Sequence, residues 1–225
     1  METKTIAIAI DGPAGAGKST IAKRLAAEMQ YIYVDTGALY RTVGYAALTA
    51  GIDPTDADAV VAMLPSIRVG LAYEDGTQKV LLNDEDVSGC IRTPEASMAA
   101  SAVSAYPPVR QFLFHLQQDI AATHNVIMDG RDIGTVVLPH AQVKIFLSAS
   151  AEDRARRRYD EMTAKGMEVR FEDVLADMIQ RDYNDSHRAA APLKPAEDAV
   201  MVDTTGNTLE QSVELMKNLI KERLG

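Results

Sequence analysis

Tryptophan is absent from the 225 residues, and cysteine occurs once, at Cys90. One thiol excludes an intrachain disulfide framework. With no reactive feature beside it, Cys90 reads as a small buried hydrophobe. Long apolar runs are missing as well. The opening METKTIAIAI turns polar at Asp11, too soon for a signal peptide or a membrane span, and no longer run follows. The chain therefore reads as soluble and cytoplasmic, with no membrane partner. Positive charge is scarce: 23 Lys and Arg against 32 Asp and Glu leave a formal net charge of −9. That excludes the basic footprint of a general nucleic-acid binder. Any anionic ligand must be held by a local cluster of Arg and Lys. His115, His124, His140 and His187 form no close pair, which argues against a zinc site.

What is present is the composition of a globular protein, 47% hydrophobic and 24% charged, long enough for one large domain or a core with a smaller insertion. Thr5–Ile10 is a short β-branched apolar strand that stops at Asp11-Gly12. After a glycine-rich turn, Ile21, Ala22, Leu25, Ala26 and Met29 share one helical face. Tyr31–Val34 then reads as a second buried strand, and strand–helix–strand at this spacing predicts a parallel α/β sheet. Ile67–Val87 alternates loosely around Asp75-Gly76 and turns again at Asn83-Asp84, which predicts a small antiparallel insertion. Thr93-Pro94-Glu95 is a helix start, and another helix begins near Pro107-Pro108. Strands follow at Asn125–Met128 and Val143–Leu147. Helices are expected after Ser150, over Phe171–Arg188 and over Leu209–Arg223, with a last strand in AVMVDTT.

The chemistry is set by Gly12-Pro13-Ala14-Gly15-Ala16-Gly17-Lys18-Ser19, which satisfies G-x-x-x-x-G-K-[ST] with a strand before it and a helix after it. Glycines let backbone N–H groups converge on phosphate oxygens, and the helix N-terminus adds its positive dipole. Lys18 is placed to reach the β- and γ-phosphates, and the Ser19 hydroxyl to ligate Mg²⁺. No Asn is followed by Lys, so the guanine reader of a GTPase switch is missing. Instead, arginines gather near turns and strand ends: Arg41, Arg110, Arg131, Arg154–Arg158, Arg181 and Arg188. A guanidinium fork suits phosphate oxygens, and there are more forks than one triphosphate requires. Salt-bridged helical faces are the plain alternative for Arg154/Arg158 and for Arg181/Asp185/Arg188. A nucleoside monophosphate acceptor needs no base, because its phosphate has a second pKa of about 6. The remaining task is to hold two polyanions in line.

The segments IAIDGPAGAGKST, DTGALYR, MDGRDIGT, ASAEDRARRR, RDYNDSHR and PLKPAEDAVMVDTT resemble, in order, those of the bacterial cytidylate kinases. The resemblance implies a three-layer P-loop fold with a parallel five-stranded sheet, a small antiparallel β insertion and a helical lid. The core would span 1–60 and 103–225, with the lid at about 150–170. An inserted monophosphate-binding region would span 61–102. It implies transfer of the ATP γ-phosphoryl group to CMP or dCMP by a monomer, with ATP and Mg²⁺. Gly12 to Thr20 would hold ATP. Thr36, Arg41, Arg131 and Arg188 would surround the CMP phosphate. Ser101, Arg110 and Asp132 would read cytosine, and Arg181 and Asp185 would contact the sugar hydroxyls. Arg154, Arg157 and Arg158 would close on the ATP phosphates. Read without the resemblance, DTG is a turn and Thr36 a cap. Two tasks stay open for Asp129, steering Mg²⁺ through water or orienting an arginine. The rivals are a P-loop kinase for UMP, AMP or shikimate, and a nucleotide-dependent switch.

Overall fold

Alternate residues of β1 (Ala7–Asp11) serve different helical layers. In the computed structural model, which describes residues 5–74 and 77–225, Ile8 and Ile10 are fully buried against α1 (Lys18–Met29) and α8 (Leu209–Leu224). Ala9 points the other way, to a cluster with Met128, Ala121, Ile133 and Val137. Each buried isoleucine contributes about 1.5–3 kcal/mol. The small alanine on the opposite face lets backbone come close there.

Five parallel strands form the main sheet, in the order β2 (Ile32–Asp35), β6 (Val126–Gly130), β1, β7 (Val143–Ser148), β8 (Val200–Asp203). β1 lies in the middle, with Ile10 opposite Asp129 on one side and Ile145 on the other. Parallel strands joined through helices bring all their C-terminal ends to one edge, where ligands bind in open α/β sheets. The phosphate loop and VIMDGRD both end there.

A second sheet pairs β3 (Val69–Glu74) with β4 (Thr77–Leu82) antiparallel, and β5 (Glu85–Asp86) follows. Asn83 and Asp84 both take positive φ, 51° and 70°, as a tight twisted hairpin requires. The expected turn at Asp75-Gly76 lies outside the described residues. Val80, Val87 and Ile91 carry this sheet into a core shared with Leu39 and Val43 of α2 (Thr36–Thr49) and Leu113 of α5 (Pro107–Thr123). α3 (Ala57–Met63) leads into the insertion and α4 (Pro94–Val103) leads out, Thr93 capping it by accepting from the Ala96 N–H at 3.1 Å. At its tip the hairpin grips β2. The Tyr73 hydroxyl donates to the Tyr33 carbonyl at 3.3 Å, and the Asp35 N–H donates to Gln78 Oε1 at 2.9 Å. Beyond β7 come α6 (Ala151–Ala164), capped by Ser150, and α7 (Phe171–His187).

Two local expectations fail, and one element has no counterpart in the sequence reading. DTG is the start of α2, not a turn. Asp35 caps that helix, accepting from the Ala38 N–H at 2.9 Å, while the Thr36 hydroxyl donates inward to the Asp129 carbonyl at 2.7 Å. A π turn over Ile133–Val137 follows β6 with no sequence signal of its own. Cys90 is exposed rather than buried, because it sits in the solvent-facing turn after β5.

Candidate active site

The phosphate loop leaves β1 at Gly12. Its φ is +149°, and a Cβ there would stand 1.9 Å from the Leu147 carbonyl oxygen, so only glycine fits the close approach of the loop to β7. Gly17 then caps α1 at φ 88° with no side chain in the way. The first-turn N–H groups of α1 therefore face the cleft without intrahelical acceptors, an anion site by geometry.

Lys18 is 5% exposed and its Nζ donates to the Pro13 carbonyl at 2.7 Å. Burial, with Arg131 nearby, pulls its pKa down to about 7 against the attraction of Asp129 and Asp11. A ligand anion is what this ammonium lacks. The Ser19 hydroxyl donates to Asp129 Oδ2 at 2.9 Å, and the Tyr33 hydroxyl donates to Oδ1 at 2.9 Å. Burial and Asp35 push the Asp129 carboxyl up to about 6. Of the two tasks left open for Asp129, orienting an arginine finds no support. Both its oxygens are held by hydroxyls, and among the described residues no arginine pairs with it. Tyr33 was invisible as a site residue, although a tyrosine in a buried strand needs a partner for its hydroxyl.

One cleft of about 790 Å³ brings most of the candidates together. Ala14, Gly15, Gly17, Lys18, Ser19 and Thr20 form the donor wall. Thr36, Arg41, Ser101, Asp129, Arg131 and Asp132 line the same cleft, Asp129 directly beside Ser19. Arg157, Arg158, Arg181, Asp185 and Arg188, from α6, α7 and the turn after α7, complete its lining. Gly12, Pro13 and Ala16 of the same loop do not line the cleft.

The acceptor wall is cross-braced. Arg41 Nη2 donates to Asp35 Oδ2 at 2.8 Å, and Arg131 Nε donates to Asp185 Oδ2 at 2.7 Å. Burial opposes ionisation of Asp185, but Arg131 outweighs it and holds the carboxyl below its ordinary range. Asp132 is paired with Arg110, and Arg188 Nη2 lies 3.6 Å from its other oxygen. Arg110 stacks 5.5 Å over the Tyr40 ring and lines a second, smaller cavity rather than the main cleft. Burial lowers Arg181 to about 10, with Arg131 adding repulsion. Most telling, Arg41 Nε, Arg181 Nε and Arg188 Nη2 are buried with no hydrogen-bond partner among the described residues. Buried donors are normally satisfied, so two without any partner and a third with only the 3.6 Å approach to Asp132, on residues of one cleft, mark where an anion belongs.

Arg154 departs from expectation. It is 4% exposed and faces away from the cleft. Its Nε donates to the Ala149 carbonyl at 2.9 Å, Nη1 to the Ala14 carbonyl at 2.9 Å, and both Nη atoms reach Asp182 of α7. With all three nitrogens engaged and four of its five N–H groups used, Arg154 is a strut beside the phosphate loop. Arg157 donates to the Thr204 carbonyl at 2.9 Å, and among the described residues Arg158 reaches only Glu161, at 3.4 Å. Sequence reasoning also missed Asp11, Asp35 and Tyr40, whose side chains act by bracing neighbours.

Among the described residues no group of His, Cys, Asp and Glu could hold a metal alone, and no helix is long and apolar enough to cross a membrane. The Ser19–Asp129 pair nevertheless fits Mg²⁺ delivered with phosphates, since that ion is usually held by one or two carboxylates plus substrate oxygens.

The family model described as cytidylate kinase matches residues 8–222. A cytidylate kinase from Ligilactobacillus salivarius is 51% identical over 220 residues, covering 98% of both chains. One from Streptococcus suis is 50% identical over 223 residues, 98% of this chain and 99% of that one. An uncharacterized protein of known structure from Eubacterium ventriosum superposes with a TM-score of 0.55 at 14% identity, over 97% of this chain and 99% of its own, a likeness of fold only. Fold, cleft and sequence agree: the chain belongs to the cytidylate kinase family.

Proposed function

We propose that the protein transfers the γ-phosphoryl group of ATP to CMP or dCMP, giving ADP and CDP or dCDP. The observation that carries this is the set of buried arginine donors without hydrogen-bond partners, on residues that line one cleft with the phosphate loop. The loop and Lys18 take the donor phosphates. Arg41, Arg131 and Arg188, with the Thr36 side, take the acceptor phosphate, and Arg181 and Asp185 adjoin the sugar. Asp132 accepts from the cytosine exocyclic amine, where uracil would present a second acceptor. Ser101 and Arg110 complete that end. An acceptor oxygen attacks the γ-phosphorus and ADP leaves, with no proton to remove because the acceptor phosphate is ionised near neutrality. Bound with the nucleotide, Mg²⁺ supplies neutralisation of the phosphate charge; Ser19 and Asp129 would hold it, Asp129 through water. Arg157 and Arg158, half-buried on α6, would be the lid groups that close over ATP, on a segment of about 150–170.

The same proposal divides the chain into a core of 1–60 and 103–225 and a monophosphate-binding insertion at 61–102. The antiparallel sheet lies inside that insertion, while α3 crosses its first boundary and α4 its second. On this reading the protein acts as a cytoplasmic monomer on free nucleotides.

Coupled ADP release across CMP, dCMP, UMP, AMP, GMP and shikimate tests the reading. CMP and dCMP should exceed each of the others by at least about 10²-fold in kcat/KM, within the ceiling of about 10⁴–10⁵ for buried polar recognition. Faster turnover of another acceptor, or ADP release without any acceptor, would overturn it.

A further inference from the structure

Asp11 is the last residue of β1, and Gly12 directly after it opens the phosphate loop. Its two carboxylate oxygens are both taken by backbone amides. Oδ1 accepts from the Ile133 N–H at 2.8 Å and Oδ2 from the Gly134 N–H at 2.7 Å, both contacts being buried. These are the leading amides of the π turn Ile133–Val137, so Asp11 caps that turn from another strand. The residue immediately before the turn is Asp132. Its φ of −148° and ψ of 25° lie outside regular helix and strand, so its placement depends on what holds its neighbours.

On the reading that Asp132 recognises cytosine, we propose that Asp11 is a positioning residue that fixes the base-reading loop Arg131–Gly134 against the phosphate loop. One rigid carboxylate then sets the distance between the two substrates' binding walls. The site is built tightly enough to make this specific. A Cβ on Gly134 would sit 3.4 Å from Asp11 Oδ2 and 3.2 Å from Lys144 Cδ, so the loop is held between the two side chains. Burial drives the Asp11 carboxyl up to about 6 even though both amides pull it down. A carboxyl kept in such a place, and used only to hold backbone, has a positional task.

Asp11→Asn keeps the volume but offers one acceptor oxygen; its NH₂ meets the second amide as donor to donor. In steady-state assays, KM for CMP should rise about tenfold or more, and the CMP/UMP ratio of kcat/KM should fall about tenfold. KM for ATP should stay within about twofold, and kcat should fall by up to about 10²-fold as the in-line geometry loosens. Gly134→Ala leaves Asp11 and the phosphate loop intact and crowds the same contact, so it should shift the CMP/UMP ratio in the same direction. The proposal falls if folded Asp11→Asn leaves KM for CMP and the CMP/UMP ratio unchanged, or raises KM for ATP as much as KM for CMP. Should Asp11→Asn not fold, an unchanged ratio in Gly134→Ala overturns it. A parent enzyme that does not phosphorylate CMP is a separate outcome and removes the functional reading itself.

Discussion

Lys18→Met will lower kcat about 10³-fold or more while the free protein becomes more stable, not less. The rate loss follows from removing the buried ammonium of the phosphate loop, since a preorganised charge at a phosphoryl-transfer site is worth several powers of ten. The stability gain follows from burial. Lys18 is 5% exposed, and its pKa of about 7 lies far below its ordinary 10.5. A lysine whose folded pKa is lowered costs stability when charged. That cost is complete below about pH 7, shrinks as pH rises toward 10.5, and is gone above it. Met fills the same space without the charge. Thermal melts of ligand-free protein should therefore show the variant higher by at least about 3 °C at pH 6, on about 2–4 °C per kcal/mol, with the gap closing toward pH 10. ATP should stabilise the parent far more than the variant. A variant that melts lower at pH 6 would show that Lys18 is held by its carboxylate neighbours rather than strained by burial.

Asp132→Ala carries the second large effect, and it falls on both binding and folding. The carboxylate is 4% exposed and is the counter-ion for Arg110 and Arg188 together. Its removal leaves two largely buried guanidinium groups facing each other, and an orphaned buried charge costs about 3–5 kcal/mol. The melting temperature should drop by about 6–20 °C. The substrate effect is separable. kcat/KM for CMP should fall about 10³-fold, while UMP, relieved of an acceptor facing its carbonyl, loses far less. The CMP/UMP ratio is thus the decisive measurement, because a general loss of folded protein scales both substrates equally. An unchanged ratio would remove Asp132 from base reading.

Much of the frame was legible because its signals are local. β-branched alternation announced β1, Pro after Thr93 announced α4, and the glycine spacing announced the phosphate loop. α2 was missed because Asp35-Thr36-Gly37 looks like a turn, and only a capped Asp35 turns it into a helix start. The site divided along the same line. Groups that face ligand belong to recognisable stretches, whereas bracing groups depend on partners far away in sequence. Asp11 acts on amides 122 and 123 positions later, and Arg154 on a carbonyl 140 positions earlier. Arg154 illustrates the limit most clearly. It sits in the same arginine run as Arg157 and Arg158, and only burial separates the strut from the cleft-lining pair.

The hairpin tip that grips β2 has a consequence for self-association. β2 is an outermost strand of the main sheet, and such a rim, left open, invites another chain to add a strand. Tyr73 and Gln78 occupy the outward Tyr33 carbonyl and Asp35 amide with side chains, so no backbone ladder can continue from those positions. The insertion therefore screens the rim as well as walling the cleft. Cutting residues 69–86 down to a short linker should yield heavier species in size-exclusion chromatography that grow with protein concentration. Tyr73→Phe combined with Gln78→Leu should do the same more weakly, even where the core sheet remains folded.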